Sequence, residues 1–189
     1  MAIYVTSDAH GHVCALDEAL SKISLTSDDT LYVLGDMIDR GPDPVGVIKL
    51  VRSLPNARVL KGNHEQIMLD AIIGQDPLDA ETWDINGGWT TRQQLNDMEF
   101  EAYEELVRWM ATLPLYAVVE TAERPFLLVH AGIQTEAARA FLLEHGVDCA
   151  DGGGAVDADG ELLQQMLAVQ SSDDLLWIRH GYWDAPTGL

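Results

Sequence analysis

Four short clusters of metal-capable side chains stand out in the sequence, and each of them contains glycine. They are DAHG at 8–11, GDMIDRG at 35–41, GNHE at 62–65 and HAG at 130–132. Carboxylate, imidazole and amide donors together suit Mn, Fe, Zn or Mg, whereas a structural zinc site is expected to use cysteine thiolates. One cluster alone is weak support for a site, because Asp, His and Asn at strand ends are usually turn formers or caps. The four together predict a metal centre, provided that the fold brings them to one place.

The elements that position these clusters follow a strand, loop, helix plan. Apolar, β-branched strand patterns precede the first three clusters at 3–6, 31–34 and 58–60. Amphipathic helix patterns follow at 13–23, 45–53 and 65–73. Three such units predict a parallel or mixed sheet covered by helices, and runs at 115–120 and 126–130 predict a hairpin that ends at His130. Because ligands bind beyond the carboxyl ends of strands in open α/β sheets, the clusters are expected to converge.

The remaining segments carry weaker patterns. The polar stretch 74–97 predicts a cap or loop, and helices are predicted at 99–111 and 161–169. The Gly- and Asp-rich stretch 144–160 predicts irregular structure, and the VDADGE sequence at its end is interpreted as a plain loop rather than a calcium loop. A final apolar run at 175–178 is interpreted as a strand.

Composition limits the class of protein. The 189 residues, 47% of them hydrophobic, predict one globular domain, 1–189, whose core needs no disulfide. The two cysteines, Cys14 and Cys149, are too few for a disulfide framework and favour a reducing compartment. Lys and Arg number 11 against 31 Asp and Glu, and the net charge of −20 would repel nucleic acids and anionic membranes. Since the sequence has no membrane-spanning window and no leader pattern, we expect a cytoplasmic protein with no nucleic-acid or membrane partner.

The four clusters together resemble the signature of the metallophosphoesterases of the phosphoprotein phosphatase type, DxHG, GDxxDRG, GNHE and HAG. The segments GNHEQIMLD, WDINGGWTT, LPLYAVVE and LLWIR further resemble the bacterial and phage serine/threonine protein phosphatases, the lambda-phosphatase-like group. The resemblance implies an α/β metallo-dependent phosphatase fold, which is a mixed β-sandwich flanked by helices. Within WDINGGWTT, Trp83 and Trp89 are predicted to pack against a core rather than to line a substrate groove.

The resemblance also implies roles for individual residues around two divalent metal ions, Mn first, with Fe, Zn or Mg as alternatives. The implied metal ligands, with Asp36 bridging the two ions, are Asp8, His10, Asp36, Asn63 and His130. Such a pair lowers the pKa of a shared water and holds the phosphate for in-line attack. His64 would be the general acid and Asp39 would orient its ring. Arg40 and Arg179 would bind phosphate oxygens through their forked guanidinium groups.

The implied activity is metal-dependent hydrolysis of phosphomonoesters, with phosphoserine and phosphothreonine in proteins or peptides as substrates. A symmetrical bis(5'-nucleosyl)-tetraphosphate hydrolase shares the four motifs, although QTEAARA after HAGI departs from that branch. A third alternative is a catalytically impaired module that binds metal or phosphate without turnover. The sequence does not indicate the oligomeric state.

The sequence departs from the family pattern at its C-terminal end. The family has one more ligand, a histidine in a GHT-like motif downstream of LLWIR, and further strands, but no GHT sequence occurs before Leu189. The sequence therefore predicts a C-terminally incomplete domain in which the second metal is weak or absent. Three explanations stay open: a portion of a longer protein, a truncated gene, or a single-metal binder without turnover.

Overall fold

The computed structural model describes residues 1–74, 76–147, 149 and 158–178. The chain divides into two compact units, Met1–Pro114 and Leu115–Leu189. The elements of the first unit are β1 (Ile3–Thr6), α1 (Val13–Ile23), β2 (Thr30–Val33), α2 (Pro44–Ser53), β3 (Ala57–Val59), α3 (Asn63–Ile73), α4 (Pro77–Ile85), α5 (Trp89–Asn96) and α6 (Phe100–Ala111). Those described in the second unit are β4 (Tyr116–Val119), β5 (Phe126–Val129), α7 (Thr135–Glu144), α8 (Gly160–Ala168) and α9 (Ser172–Trp177).

The three strands of the first unit form the predicted parallel sheet, in the order β1-β2-β3. Thr6 pairs with Val33, and Val33 pairs with Val59, so all three strands end at the same edge. Backbone hydrogen bonds continue past that edge, where the Asp8 N–H donates to the Gly35 carbonyl at 3.2 Å. The first three clusters therefore begin side by side, as the β-α pattern predicts.

The core of the first unit lies between this sheet and its helices. Met37 and Ile38, which separate Asp36 from Asp39, are fully buried in it. Burial of two large apolar side chains contributes about 1.5–3 kcal/mol each and holds the loop after β2 in place. The polar residues of this loop are consequently anchored to the core and do not lie on a free surface loop.

The start of α3 differs from the prediction by two residues. Helix α3 begins at Asn63 rather than at residue 65, and Gly62 is its N-cap residue. The Glu65 side chain accepts a hydrogen bond from the Gly62 N–H at 2.9 Å, which satisfies a donor at the helix start. Asn63 and His64 thus lie in the first turn of the helix.

The prediction of a cap or loop at 74–97 is wrong, because this stretch forms α4 and α5. Asp76 caps α4 by accepting the Leu78 N–H at 2.9 Å, and Pro77 follows in the first turn. The amphipathic pattern is weak because Trp83 is the one buried residue of α4, while Leu78 and Ile85 are exposed.

The second unit contains the predicted hairpin, in which β4 and β5 pair antiparallel. The interpretation of 175–178 as a strand is wrong, because residues 172–177 form the short helix α9. Ser171 caps this helix by accepting the Asp174 N–H at 3.0 Å, and two aspartates in the first turn favour the helix dipole. Both leucines, Leu175 and Leu176, are buried.

Two sequence predictions reach residues outside the described ranges. Arg179 lies outside them, and so does most of the stretch 148–157. At the described end of VDADGE, Asp159 caps α8 by accepting the Leu162 N–H at 2.8 Å. Among the described residues, no helix is long and apolar enough to cross a membrane.

Candidate metal centre

Left-handed backbone conformations concentrate in the loops after β1 and β2. Non-glycine residues with positive φ in these loops are Asp8 (55°), His10 (39°), Asp36 (53°), Asp39 (69°) and Arg40 (65°). Such conformations are disfavoured for residues with a Cβ atom and persist where the surrounding structure enforces them. Here the two loops bind each other, since the N–H groups of His10 and Gly11 donate to the carbonyls of Asp36 and Met37, both at 2.9 Å.

The glycines of the clusters allow these loops to approach each other closely. A Cβ atom at Gly41 would lie 2.0 Å from the His10 carbonyl oxygen, and one at Gly62 would lie 2.3 Å from Asp36 Oδ1. Both distances are far shorter than any side chain permits. The conspicuous glycines beside the predicted ligands therefore have a steric reason.

A buried histidine and carboxylate group forms one part of the site. Ligand atoms of His10, Asp36 and His64 all lie within 4.8 Å of one another. The Nδ1 atom of His10 donates to the Ile38 carbonyl at 2.8 Å, which leaves the lone pair on Nε2. That Nε2 atom lies 3.5 Å from Asp36 Oδ2 and 3.9 Å from Asp8 Oδ1.

This donor set fits a divalent cation. Burial lowers the pKa of His10 below its ordinary value, so the imidazole is neutral at pH 7 and can coordinate through Nε2. Its other nitrogen is held by a backbone carbonyl, as is usual for histidines that bind metals. The roles of Asp8, His10 and Asp36 as ligands of the first metal stay a prediction, with which the carboxylate oxygens near His10 Nε2 are compatible.

His64 and Asp39 form a fully buried pair next to this group. His64 Nδ1 donates to Asp39 Oδ2 at 2.7 Å, and the backbone N–H of His64 donates to Asp36 Oδ1 at 3.0 Å. Both side chains are nearly inaccessible to solvent. The pairing fixes the ring of His64 so that Nε2, the atom a general acid would use, is the nitrogen turned away from Asp39.

The guanidinium of Arg40 bridges the two imidazoles. One nitrogen, Nη1, donates to His10 Nε2 at 2.9 Å, and Nη2 donates to His64 Nε2 at 2.8 Å. The Nε2 lone pair of His10 cannot accept this bond and coordinate a metal at the same time. Arg40 is an exposed residue, so its side chain has room to turn outward. Its role in binding phosphate stays a prediction.

Glu65 is an organising residue that the sequence analysis did not single out. Its carboxylate is completely buried, and Oε2 accepts the N–H groups of Asp36 at 2.8 Å and Gly62 at 2.9 Å. Oε1 accepts the N–H of Met37 at 2.8 Å. Burial raises the pKa of Glu65, while these backbone donors act in the opposite direction. The position three residues after a helix-starting glycine is the available sequence signal.

Trp83 and Thr91 were also missed as parts of the site. Trp83 is buried as predicted, but its Nε1 also donates to Asp39 Oδ1 at 3.0 Å. The Thr91 hydroxyl donates to the same oxygen at 2.6 Å. The packing prediction is wrong for Trp89, which is 58% exposed.

The other predicted site residues are not all assembled by the described structure. Asn63 is buried in the first turn of α3, in the first unit. His130 follows β5 in the second unit, and Arg179 lies outside the described residues. The second set of metal ligands therefore stays a prediction.

Comparison with known proteins identifies the family. The family model for calcineurin-like phosphoesterases matches residues 1–183. The chain belongs to the calcineurin-like phosphoesterase family. This confirms the metallophosphoesterase resemblance on which the predicted site rests.

The chain is also similar to curated proteins named "Bis(5'-nucleosyl)-tetraphosphatase, symmetrical". The one from Erwinia tasmaniensis is 32% identical over 136 residues, which is 70% of this chain and 45% of that protein. The one from Salmonella typhimurium is 32% identical over 135 residues, covering 70% of this chain and 44% of that protein. The chain thus spans less than half the length of these curated relatives.

The chain is also similar to solved structures. A protein serine/threonine phosphatase from Saccharomyces cerevisiae superimposes with a TM-score of 0.53 at 19% identity, over 70% of this chain and 38% of that one. A metallophosphoesterase from Sphaerobacter thermophilus is 27% identical with a TM-score of 0.48, over 69% of this chain and 46% of that one. The family model and the superposition on the yeast structure confirm the predicted α/β metallophosphoesterase fold.

Proposed function

We propose that this protein hydrolyses phosphate esters at a dinuclear divalent metal centre, with phosphoserine and phosphothreonine in proteins or peptides as substrates. The observation that carries the proposal is the buried group of His10, Asp36 and His64, whose ligand atoms lie within 4.8 Å of one another. Asp39 lies directly behind it, 2.7 Å from His64 Nδ1. A general acid next to a set of metal ligands can catalyse the hydrolysis of a phosphate ester.

The proposed ligands divide between two ions. Asp8, His10 and Asp36 would hold the first, and Asp36, Asn63 and His130 would hold the second. When bound, two such cations lower the pKa of a water molecule and offset the negative charge of the phosphate. We propose Mn²⁺ as the working ion, with Fe, Zn and Mg as alternatives to be compared.

The protein's own residues would handle the leaving group. Water attacks phosphorus as the ester P–O bond breaks, and His64 gives its Nε2 proton to the departing alkoxide oxygen. Asp39 keeps the Nδ1 proton of His64 in place, so that Nε2 is the nitrogen that faces the substrate. Arg40 would leave the imidazoles and bind the phosphate oxygens with its two parallel N–H donors.

The protein-phosphatase assignment is supported by the segments that resemble that branch, WDINGGWTT among them. A second candidate, symmetrical hydrolysis of a dinucleoside tetraphosphate, is supported by the curated relatives of that name at 32% identity. Both reactions use water, two metal ions and an acid for the leaving group, so the substrate distinguishes them.

Phosphate release from a phosphoserine peptide, measured with and without Mn²⁺, tests the proposal. Diadenosine tetraphosphate is assayed in parallel for its ADP product. We expect Mn²⁺-dependent peptide hydrolysis that falls by about 10²–10⁴-fold in His64→Asn, because the leaving alkoxide then lacks its acid. His145→Asn is the matched control, since His145 is an exposed imidazole that stacks on Phe141.

The other outcomes of these two assays would indicate other functions. Turnover of the dinucleotide without the peptide would select the second candidate. If neither substrate is hydrolysed with any of the four metals, the protein is a metal- or phosphate-binding module and the proposal is wrong.

A further inference from the structure

The Asp39 carboxylate is held by side chains from two helices that contribute nothing to the predicted ligand set. Trp83 on α4 donates through Nε1 to Oδ1 at 3.0 Å and to Oδ2 at 3.2 Å. Thr91 on α5 donates its hydroxyl to Oδ1 at 2.6 Å and accepts the backbone N–H of Asp39 at 2.9 Å. His64 occupies the other side of the carboxylate through Oδ2.

The segment between these two residues is fitted to the same loop. The Arg40 N–H donates to the Gly87 carbonyl at 3.0 Å, which supports the left-handed conformation of Arg40. At Gly88, a Cβ atom would lie 2.2 Å from the ring of Trp83. Residues 83–91 therefore touch both Asp39 and Arg40.

Three donors on one buried carboxylate leave it a single orientation. Asp39 has no solvent-accessible side-chain surface, so water cannot replace a donor that is removed. Without the bonds to Oδ1, the carboxylate could rotate about its Cβ–Cγ bond, and its contact with His64 Nδ1 would loosen. The orientation of the His64 ring depends on that contact.

We propose that Trp83 and Thr91 are positioning residues for His64, acting through the Asp39 carboxylate. The inference rests on the proposed function, in which His64 is the general acid. Trp83 and Thr91 act on the proton-bearing side of the imidazole and have no contact with the reacting phosphate in this scheme. Their loss should affect proton delivery to the leaving group rather than substrate binding.

The hydrogen bond itself can be observed without any substrate. The Nδ1 proton of His64 should give a downfield ¹H NMR signal in ¹⁵N-labelled protein, assigned by its loss in His64→Asn. We expect this signal to broaden or disappear in Trp83→Phe and Thr91→Val, because the loosened pair exchanges with water faster. A signal unchanged in both variants would overturn the inference, whatever the protein hydrolyses.

Neighbouring residues supply matched controls. Thr90→Val removes a buried hydroxyl whose bond goes to the Gly87 carbonyl at 3.4 Å instead of to Asp39. Trp89→Phe removes an indole that is 58% exposed. Both should retain the signal. Thermal unfolding shows whether each variant is folded, and if Trp83→Phe is not, Thr91→Val decides alone, since it replaces a hydroxyl by a methyl group.

Leaving-group dependence supplies the kinetic test. Phenyl phosphate needs an acid for its leaving oxygen far more than p-nitrophenyl phosphate does. We expect kcat for phenyl phosphate to fall about tenfold or more in Thr91→Val and Trp83→Phe, with KM and the p-nitrophenyl phosphate rate within about threefold of wild type. In an Asp39→Asn background the same substitutions should have little further effect.

The two proposals fail differently. An equal loss of kcat on both phosphate esters would indicate a merely structural role and would overturn the positioning inference. If the wild-type protein hydrolyses neither ester, the proposed function fails, and the NMR signal still decides whether Trp83 and Thr91 hold the Asp39 and His64 pair.

Discussion

Asp39 and Glu65 are buried carboxylates with different partners. Asp39 accepts side-chain donors from Trp83, Thr91 and His64 and so connects the site to two other helices. Glu65 accepts backbone N–H groups from the loop after β2 and from the start of α3. One carboxylate orients the proposed acid, and the other holds together the two backbones that carry the metal ligands.

Glu65→Gln should lower the stability of the protein. The amide keeps one oxygen acceptor, but its NH₂ group would face at least one backbone N–H that now donates to the carboxylate, and a buried donor left unpaired costs about 1–3 kcal/mol. Urea unfolding at neutral pH measures the change. Glu81→Gln, an exposed carboxylate on α4, is the control and should leave the midpoint unchanged. A wild-type midpoint for Glu65→Gln would show that these hydrogen bonds do not support the fold.

Among the secondary-structure elements, β1 and β2 are linked at their N-terminal ends by one aspartate. Asp29 Oδ1 accepts the Ala2 N–H at 2.6 Å, just before β1 begins. Its Oδ2 accepts the Thr26 hydroxyl at 2.8 Å and the Thr26 N–H at 3.1 Å. These donors, that of Ala2 first, hold the pKa of Asp29 below its ordinary value of 3.8.

The Asp29 contribution should depend on pH. Because the folded-state pKa is lowered, the stabilisation is complete above the unfolded-state pKa and is lost as pH falls through the folded-state value. The stability difference between wild type and Asp29→Asn should therefore be largest near neutral pH and narrow below about pH 4. Thermal unfolding of both proteins across this range measures it. The exposed Asp28→Asn is the control, and a difference that stays constant with pH would contradict the explanation.

Element prediction succeeded where the pattern was local and strong. The β-α alternation around the first three clusters and the apolar runs of the hairpin predicted both sheets. The register of the parallel sheet put those three clusters at one edge. Element prediction failed at 74–97, where α4 exposes Leu78 and Ile85 and lacks an apolar face. The prediction of a strand at 175–178 failed as well, because a short apolar run does not distinguish a strand from the end of a buried helix such as α9.

For the whole molecule, the net charge of −20 is the dominant electrostatic feature. We expect about 0.5 M NaCl to raise the unfolding temperature at pH 7 by a few degrees, because salt screens repulsion among exposed carboxylates. The same addition near the isoelectric point of about 4.3 is the control and should have a smaller effect. Calorimetry at both pH values tests this, and equal shifts would mean that the salt acts by some route other than charge screening.

The sequence by itself determined the family, the parallel sheet and the identity of the predicted ligands, because the four motifs are short and follow strand patterns. Only the tertiary structure revealed which residues orient the predicted site residues. Trp83 and Thr91 are 44 and 52 residues from Asp39 along the chain, and Glu65 is 28 residues from Met37. Contacts of that range leave no local periodicity in the sequence, since they exist only once the core has brought the helices together. The long-range donors to these two buried carboxylates were therefore visible only in the folded chain, whereas the Gly62 N–H, three residues from Glu65, is local.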